Sequence, residues 1–196
     1  DYGSCNSIGL GNVGLDDYYG FLKKHDAIGQ LARGMRSGQE DQLVRLSGRN
    51  VNLPPEYREA ARELGMSGTV TTTHDKYLMF VKFNMKVEGS VLNRDDVART
   101  ELILRQRQLK GLELFRKFIP GCENAFIART SPSLNIRRGR LIVCDYDITH
   151  EDVIEGRHFG DEVFVYGFHD MAPRLHVKDG GTYGIPYRAL CVKGID

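Results

Sequence analysis

Cysteine is scarce in this 196-residue chain: Cys5, Cys122, Cys144 and Cys191 are the four, and no two form a C-x-x-C pair. That spacing excludes a zinc ribbon or a dithiol redox motif. A chain of this length buries enough core to hold together without disulfide staples, so reduced thiols are expected. An excess of one charge is missing too, since 27 Lys and Arg face 26 Asp and Glu for a net charge of +1. Such a balance argues against a polyanion-binding surface, and nucleic acid is not an expected partner. No apolar run reaches the roughly 18 residues of a membrane-spanning helix, and no basic segment followed by an apolar one opens the chain. A cytoplasmic location is therefore expected. The six histidines include no H-x-x-x-H or H-E-x-x-H spacing, so no metal is expected. Without a G-x-S-x-G sequence or a cysteine visibly paired with histidine, nucleophilic hydrolysis has nothing to support it.

What is present reads as an α+β chain with a mixed, largely antiparallel sheet, packed helices and a mostly helical N-terminal part. Residues 15–25 carry acids in the first turn and bases in the last, complementing a helix dipole. Gly29, Gly34, Gly38 and Gly48 punctuate a polar, arginine-rich stretch that is expected to be irregular. Pro54-Pro55-Glu56 opens a helix that Gly65 is placed to end. From there the period becomes strand-like, over 69–73 and again over 77–87. Asn93-Arg94-Asp95-Asp96 starts the longest helix, to about Phe118, with Ala98, Leu102, Leu109, Leu112, Phe115 and Ile119 as its apolar stripe. Pro120-Gly121 ends it. Short strands are expected at 126–129, 140–146, 162–166 and 174–178, with a capping-box helix from Thr149 to near Gly156 and turn chemistry at 179–182.

Three features carry candidate chemistry. Gly9-Leu10-Gly11-Asn12-Val13-Gly14 matches G-x-G-x-x-G ahead of a helix, yet Gly3-Ser4-Cys5-Asn6-Ser7 offers no buried parallel strand before it. A glycine-rich entry into a surface helix is the simpler expectation. His169 stands beside Asp170 in an apparent break between strands, a setting for a proton donor or an anion contact. Arginine outnumbers lysine 18 to 9, with Arg137-Arg138-Gly139-Arg140 the densest cluster; a guanidinium fork suits a carboxylate or phosphate.

Four ordered segments then carry a resemblance. Pro120-Gly121-Cys122-Glu123-Asn124-Ala125, Arg137-Arg138-Gly139-Arg140-Leu141-Ile142, Tyr146-Asp147-Ile148-Thr149-His150-Glu151-Asp152 and Ile185-Pro186-Tyr187-Arg188-Ala189-Leu190 follow one another. Their order and spacing resemble the middle region of FAD-dependent oxidoreductases related to the fumarate reductase and succinate dehydrogenase flavoproteins, which carry P-G-F-E-N-A, R-E-x-R-R-I, Y-x-L-T-x-E-D and I-P-Y-R-x-L segments. The likeness covers about residues 95–196 well and the arginine-rich stretch hardly at all. Within the second segment Arg137 and Arg140 keep the family's positions, while its acid and last arginine are lost.

The resemblance implies that residues 1–196 are a single substrate or cap domain excised from a larger flavoprotein, with a helical lobe at 1–65 and a sheet plus the helix of 95–118 beyond it. It further implies FAD as cofactor of the whole enzyme, held by a separate FAD-binding domain of the same polypeptide and not by this chain. A small-molecule substrate would meet His169, Arg137 and Arg140 as catalytic groups, with Arg188 and Tyr187 binding it. Excision would expose an apolar patch around Ile185, Pro186, Tyr187 and Leu190 and favour a homodimer there. The alternative reading of the same residues is a free-standing α+β binding or scaffold protein whose arginine loop grips an acidic partner.

Overall fold

The computed structural model describes residues 4–74, 77–136, 139–167 and 182–194. They belong to two compact units, Asp1–Gly139 and Arg140–Asp196, and both combine helices with antiparallel strands, so the chain is α+β.

The first unit is built on β1 (Ser4–Gly11), β2 (Ile28–Arg36), β3 (Gln39–Gly48), β4 (Met66–His74), β5 (Tyr77–Met85) and β6 (Phe126–Thr130). These form one sheet in the order β2-β3-β4-β5-β1-β6, every neighbouring pair antiparallel. Side chains alternate across a strand, and β1 uses that alternation strictly. Asn6, Ile8 and Leu10 are buried and pair in register with Phe83, Val81 and Met79. Ser7 and Gly9 look to the opposite face, paired with Lys82 and Phe80. The helices α1 (Leu15–Lys24), α2 (Pro55–Glu63) and α3 (Arg94–Phe118) share one hydrophobic core with the buried face.

Asn93 caps α3 by accepting the Asp95 N–H at 2.9 Å. The face that α3 buries is Thr100, Leu104, Gln108, Gly111, Leu114 and Phe115. Leu102 and Leu109, expected on the apolar stripe, are exposed instead. Small and polar residues replace them because the helix backbone lies close to the sheet: a Cβ on Gly111 would stand 2.5 Å from Cζ of Phe83.

The first 65 residues are not mostly helical, and two of the expectations there are corrected. Residues 4–11 form a strand at an interior position of the sheet, which the run of Ser, Asn and Gly concealed. The stretch after Gly29, expected to be irregular, is the β2–β3 hairpin. Ser37 and Gly38 have φ of 50° and 78°, the positive pair that a tight hairpin turn requires. Only one face of such a pair needs apolar residues; Leu46 is fully buried while Arg45 is exposed.

The second unit contains α4 (His150–Ile154), β7 (Glu162–Gly167) and β8 (Thr182–Pro186), with β7 and β8 paired antiparallel. Thr149 and Asp152 form the expected capping box. Residues 140–146 are not a strand. They are joined to residues 191–193 by a Cys144–Val192 bridge, Asp145 N–H to Cys191 O at 3.0 Å and Lys193 N–H to Val143 O at 2.9 Å, and the chain bends at Asp145 and Tyr146. The strand expected at 174–178 and most of the 179–182 turn lie outside the described residues.

Candidate functional site

Of the residues the sequence nominates, His169 and Arg137 lie outside the described residues. Arg140 is exposed and pairs with no carboxylate among the described residues. Arg188 is committed to its own unit. Its guanidinium bonds Asp161 at 3.0 Å and lies over the rings of Tyr146 at 4.7 Å and Phe159 at 5.4 Å. Those contacts fit a brace between the turn after β8 and the Tyr146 segment. Tyr187 is 62% exposed and Leu190 56%, but Ile185 and Pro186 are buried in β8. The expected apolar patch is thus only half formed, because β8 buries Gly184, Ile185 and Pro186 in succession.

Two of the four segments that carry the resemblance, the one from Tyr146 to Asp152 and the one from Ile185 to Leu190, meet in this brace, where Tyr146 N–H also donates to Arg188 O at 3.2 Å. Asp152, 2% exposed, accepts from the Tyr146 hydroxyl, from the Thr149 N–H at 2.9 Å and from Arg157 at 2.7 Å. Burial alone would raise its pKa; the hydrogen bonds from Tyr146, Thr149 and Arg157 outweigh that and bring it to about 2. In the P-G-F-E-N-A segment, the phenylalanine position is taken by Cys122, fully buried, whose thiol burial pushes up to about 12. It is a packed, protonated thiol, not a nucleophile.

The glycine motif has local reasons of its own. A Cβ on Gly11 would stand 2.7 Å from the Phe126 ring, and one on Gly14 would stand 3.1 Å from Cα of Gly121. Gly14 N–H, at the start of α1, is already spent on Gly121 O at 2.7 Å. The hollow beside it, about 220 Å³, is lined by Asp17 and Glu123, and Glu123 takes the Gly121 N–H at 3.2 Å. A pyrophosphate needs free N–H groups and no carboxylates there. A strand does precede the motif, but it is antiparallel to both neighbours, unlike the parallel strand of a dinucleotide fold. The glycine motif at the start of α1 therefore does not fit the FAD pyrophosphate. Titrating FAD into the chain is expected to leave flavin fluorescence and anisotropy unchanged; a stoichiometric rise in anisotropy would overturn this.

The surface with the better chemistry is the sheet face opposite the helices, which no helix of the first unit covers among the described residues. Gly9 is in register with Phe80 on one side and Arg129 on the other. Arg129 lies over the Phe80 ring at 5.6 Å. Lys82, Arg45 and Arg129 are exposed cations with no carboxylate partner among the described residues. At the β1–β6 edge, the Ser7 and Ser131 hydroxyls meet at 2.7 Å beside a hollow of about 120 Å³ that Gly9, Phe80 and Arg129 also line. Sequence reasoning missed these residues. Their signal was the alternation Asn6-Ser7-Ile8-Gly9-Leu10-Gly11, in which every second position is small.

Among the described residues no group of three His, Cys, Asp or Glu is placed to hold a metal, and no helix is long and apolar enough to cross a membrane. A family model described as FAD dependent oxidoreductase matches residues 20–196. The match begins inside α1, so β1 and the glycine motif lie outside it. No curated protein and no solved structure matches the chain.

Proposed function

The chain belongs to the FAD dependent oxidoreductase family, and from that premise we propose that it is the substrate-binding cap of such an enzyme, related to the fumarate reductase and succinate dehydrogenase flavoproteins, with FAD held by another part of the polypeptide. FAD supplies the redox chemistry in such an enzyme, and the protein supplies binding, orientation and exclusion of water. The observation that carries the reading is the bare face of the six-stranded sheet. It carries Phe80, Lys82 and Arg129, with Gly9 and Gly11 buried among them and the Phe126 ring against Gly11. A sheet with helices on one side and cations with aromatics on the other is suited to cover a ligand lying on a second domain. Arg188 and Asp152 stabilise the second unit in this reading, and Arg140 and Tyr187 remain accessible for substrate contact.

The chain contains no tryptophan, which allows a direct test. Lys82→Trp places one indole on the bare face, and Glu113→Trp places one on the exposed side of α3. In the flavin-loaded enzyme, emission from Lys82→Trp is expected to be quenched at least fivefold more than emission from Glu113→Trp, each relative to the isolated chain. Equal quenching, or stronger quenching at Glu113→Trp, would overturn the assignment of this face.

A further inference from the structure

We propose that the outward face of α3 is a homodimer interface, on which a second copy of this chain lies antiparallel with the two-fold axis at Gln106. The proposal does not rest on the reading of the bare sheet face, because α3 turns this side away from the sheet.

α3 carries apolar residues on two opposite sides. One side is the row buried against the sheet. On the other, Leu102 and Leu109 are 66% and 60% exposed and lie two turns apart on one line of the helix. Asp95, Arg99, Gln106, Glu113 and Arg116 continue that line and are exposed too. From Asp95 to Arg116 the steps alternate between four and three residues, the repeat of a helix seam. A lone exposed leucine needs no partner. Two in the middle of a continuous seam on a 25-residue helix do.

The order of charges names the partner. Along the chain the seam reads acid, base, Leu, Gln, Leu, acid, base. Laid antiparallel on a copy of itself, it sets Asp95 against Arg116, Arg99 against Glu113, Leu102 against Leu109 and Gln106 against Gln106. A parallel pairing would set each charge against its own like. Asp95 and Glu113 have no ion partner among the described residues. Arg99 spends one N–H on Asp96 at 3.3 Å and Arg116 its Nε on Ala125 O at 2.8 Å. Each guanidinium keeps further N–H groups for a second carboxylate.

The surface beside the seam agrees. An open groove of about 410 Å³ between α2 and α3 is bordered by Glu113 and floored by Ala60, Leu64, Leu114 and Phe118. Its α2 wall adds Glu56 and Glu63, which also lack an ion partner among the described residues. The two-fold brings Arg99 of the second copy to the level of Glu113, so an arginine arrives where three glutamates are unpaired. The seam is about 32 Å long and one helix wide, at the small end of specific interfaces. A dissociation constant of about 10–100 μM is therefore expected.

The test is sedimentation equilibrium of the 196-residue chain under reducing conditions, from about 1 to about 500 μM. A monomer–dimer equilibrium is expected. Leu109→Asp is expected to weaken it at least tenfold, since it would desolvate a carboxylate against leucine. Arg99→Glu and Glu113→Arg each set like charges across the interface and are expected to weaken it at least fivefold. Mixed in equal amounts, these two variants are expected to recover the native dissociation constant, because every contact between positions 99 and 113 then joins a glutamate to an arginine. Within one chain those positions are about 21 Å apart along the helix, so only pairing between copies produces the recovery. All three substituted residues are exposed, and unchanged circular dichroism checks that the variants fold. A chain that stays monomeric throughout, or a dimer that Leu109→Asp leaves intact, would overturn the interface. A mixture no tighter than its components would overturn the antiparallel pairing.

Discussion

Phe83→Ala is expected to destabilise the first unit by about 3–5 kcal/mol, the range for emptying a fully buried aromatic site. Phe83 is 0% exposed. Its ring fills the space that Gly111 leaves on α3, where an added Cβ would stand 2.5 Å from Cζ. Two buried amide nitrogens, Nδ2 of Asn6 and Nε2 of Gln108, have no hydrogen-bond partner among the described residues, so this interface already carries a polar cost before any truncation. Gly111→Ala tests the same contact from the other side. It is expected to cost about 1–3 kcal/mol by overpacking, although in an open helix it would gain about 1 kcal/mol. Urea unfolding followed by circular dichroism checks both. The two costs are expected not to add in the double variant, because alanine at position 111 enters the space that Phe83 vacates. A Phe83→Ala cost below 1 kcal/mol would show that the ring is not the spacer between α3 and the sheet.

Asp152→Ala is expected to destabilise the second unit by about 3 kcal/mol, the lower end of the range for breaking a buried ion pair, because Arg157 is largely exposed and screened. The loss leaves the Tyr146 hydroxyl and the Thr149 N–H without their acceptor and removes the capping box of α4. The same group sets an acid limit. Its carboxyl titrates near 3.8 when unfolded and near 2 when folded, so the folded state prefers the charged form. The stabilisation is fully present above the unfolded pKa and is lost as the pH falls through the folded one. Hydrogen exchange at Gly184 and Glu155 is expected to accelerate between pH 4 and pH 2, relative to the intrinsic rate, in the native chain and to show no such step in Asp152→Ala. An unchanged step in the variant would assign the acid limit to another carboxylate.

The features legible in the residues were those settled within a turn or two of chain. Asn93 caps α3, Thr149 and Asp152 form a capping box, and Pro55 starts α2 while Gly65, at φ +73°, follows its end. The misreadings share one cause. Residues 4–11 and 28–48 are polar and glycine-rich, and they become strands because neighbouring strands supply their hydrogen bonds and α1 to α3 supply the cover for one face. The α3 stripe was misjudged for the complementary reason. Gly111 and Gln108 face the sheet because close backbone approach requires a small residue against Phe83, and hydropathy periodicity does not register that.

The sequence by itself determined the α+β class, the start and end of the long helix, and, through its ordered motifs, the FAD dependent oxidoreductase family. Those follow from local capping chemistry and from residue order. Tertiary structure alone decided that Arg188 and Asp152, conspicuous in the motifs, are tied into bracing contacts, while Ser7, Arg129 and Ser131 are brought together at an open sheet edge. The reason is separation along the chain. Ser7 and Ser131 stand 124 positions apart, and only the antiparallel register of β1 with β6, bulge included, places their hydroxyls in contact.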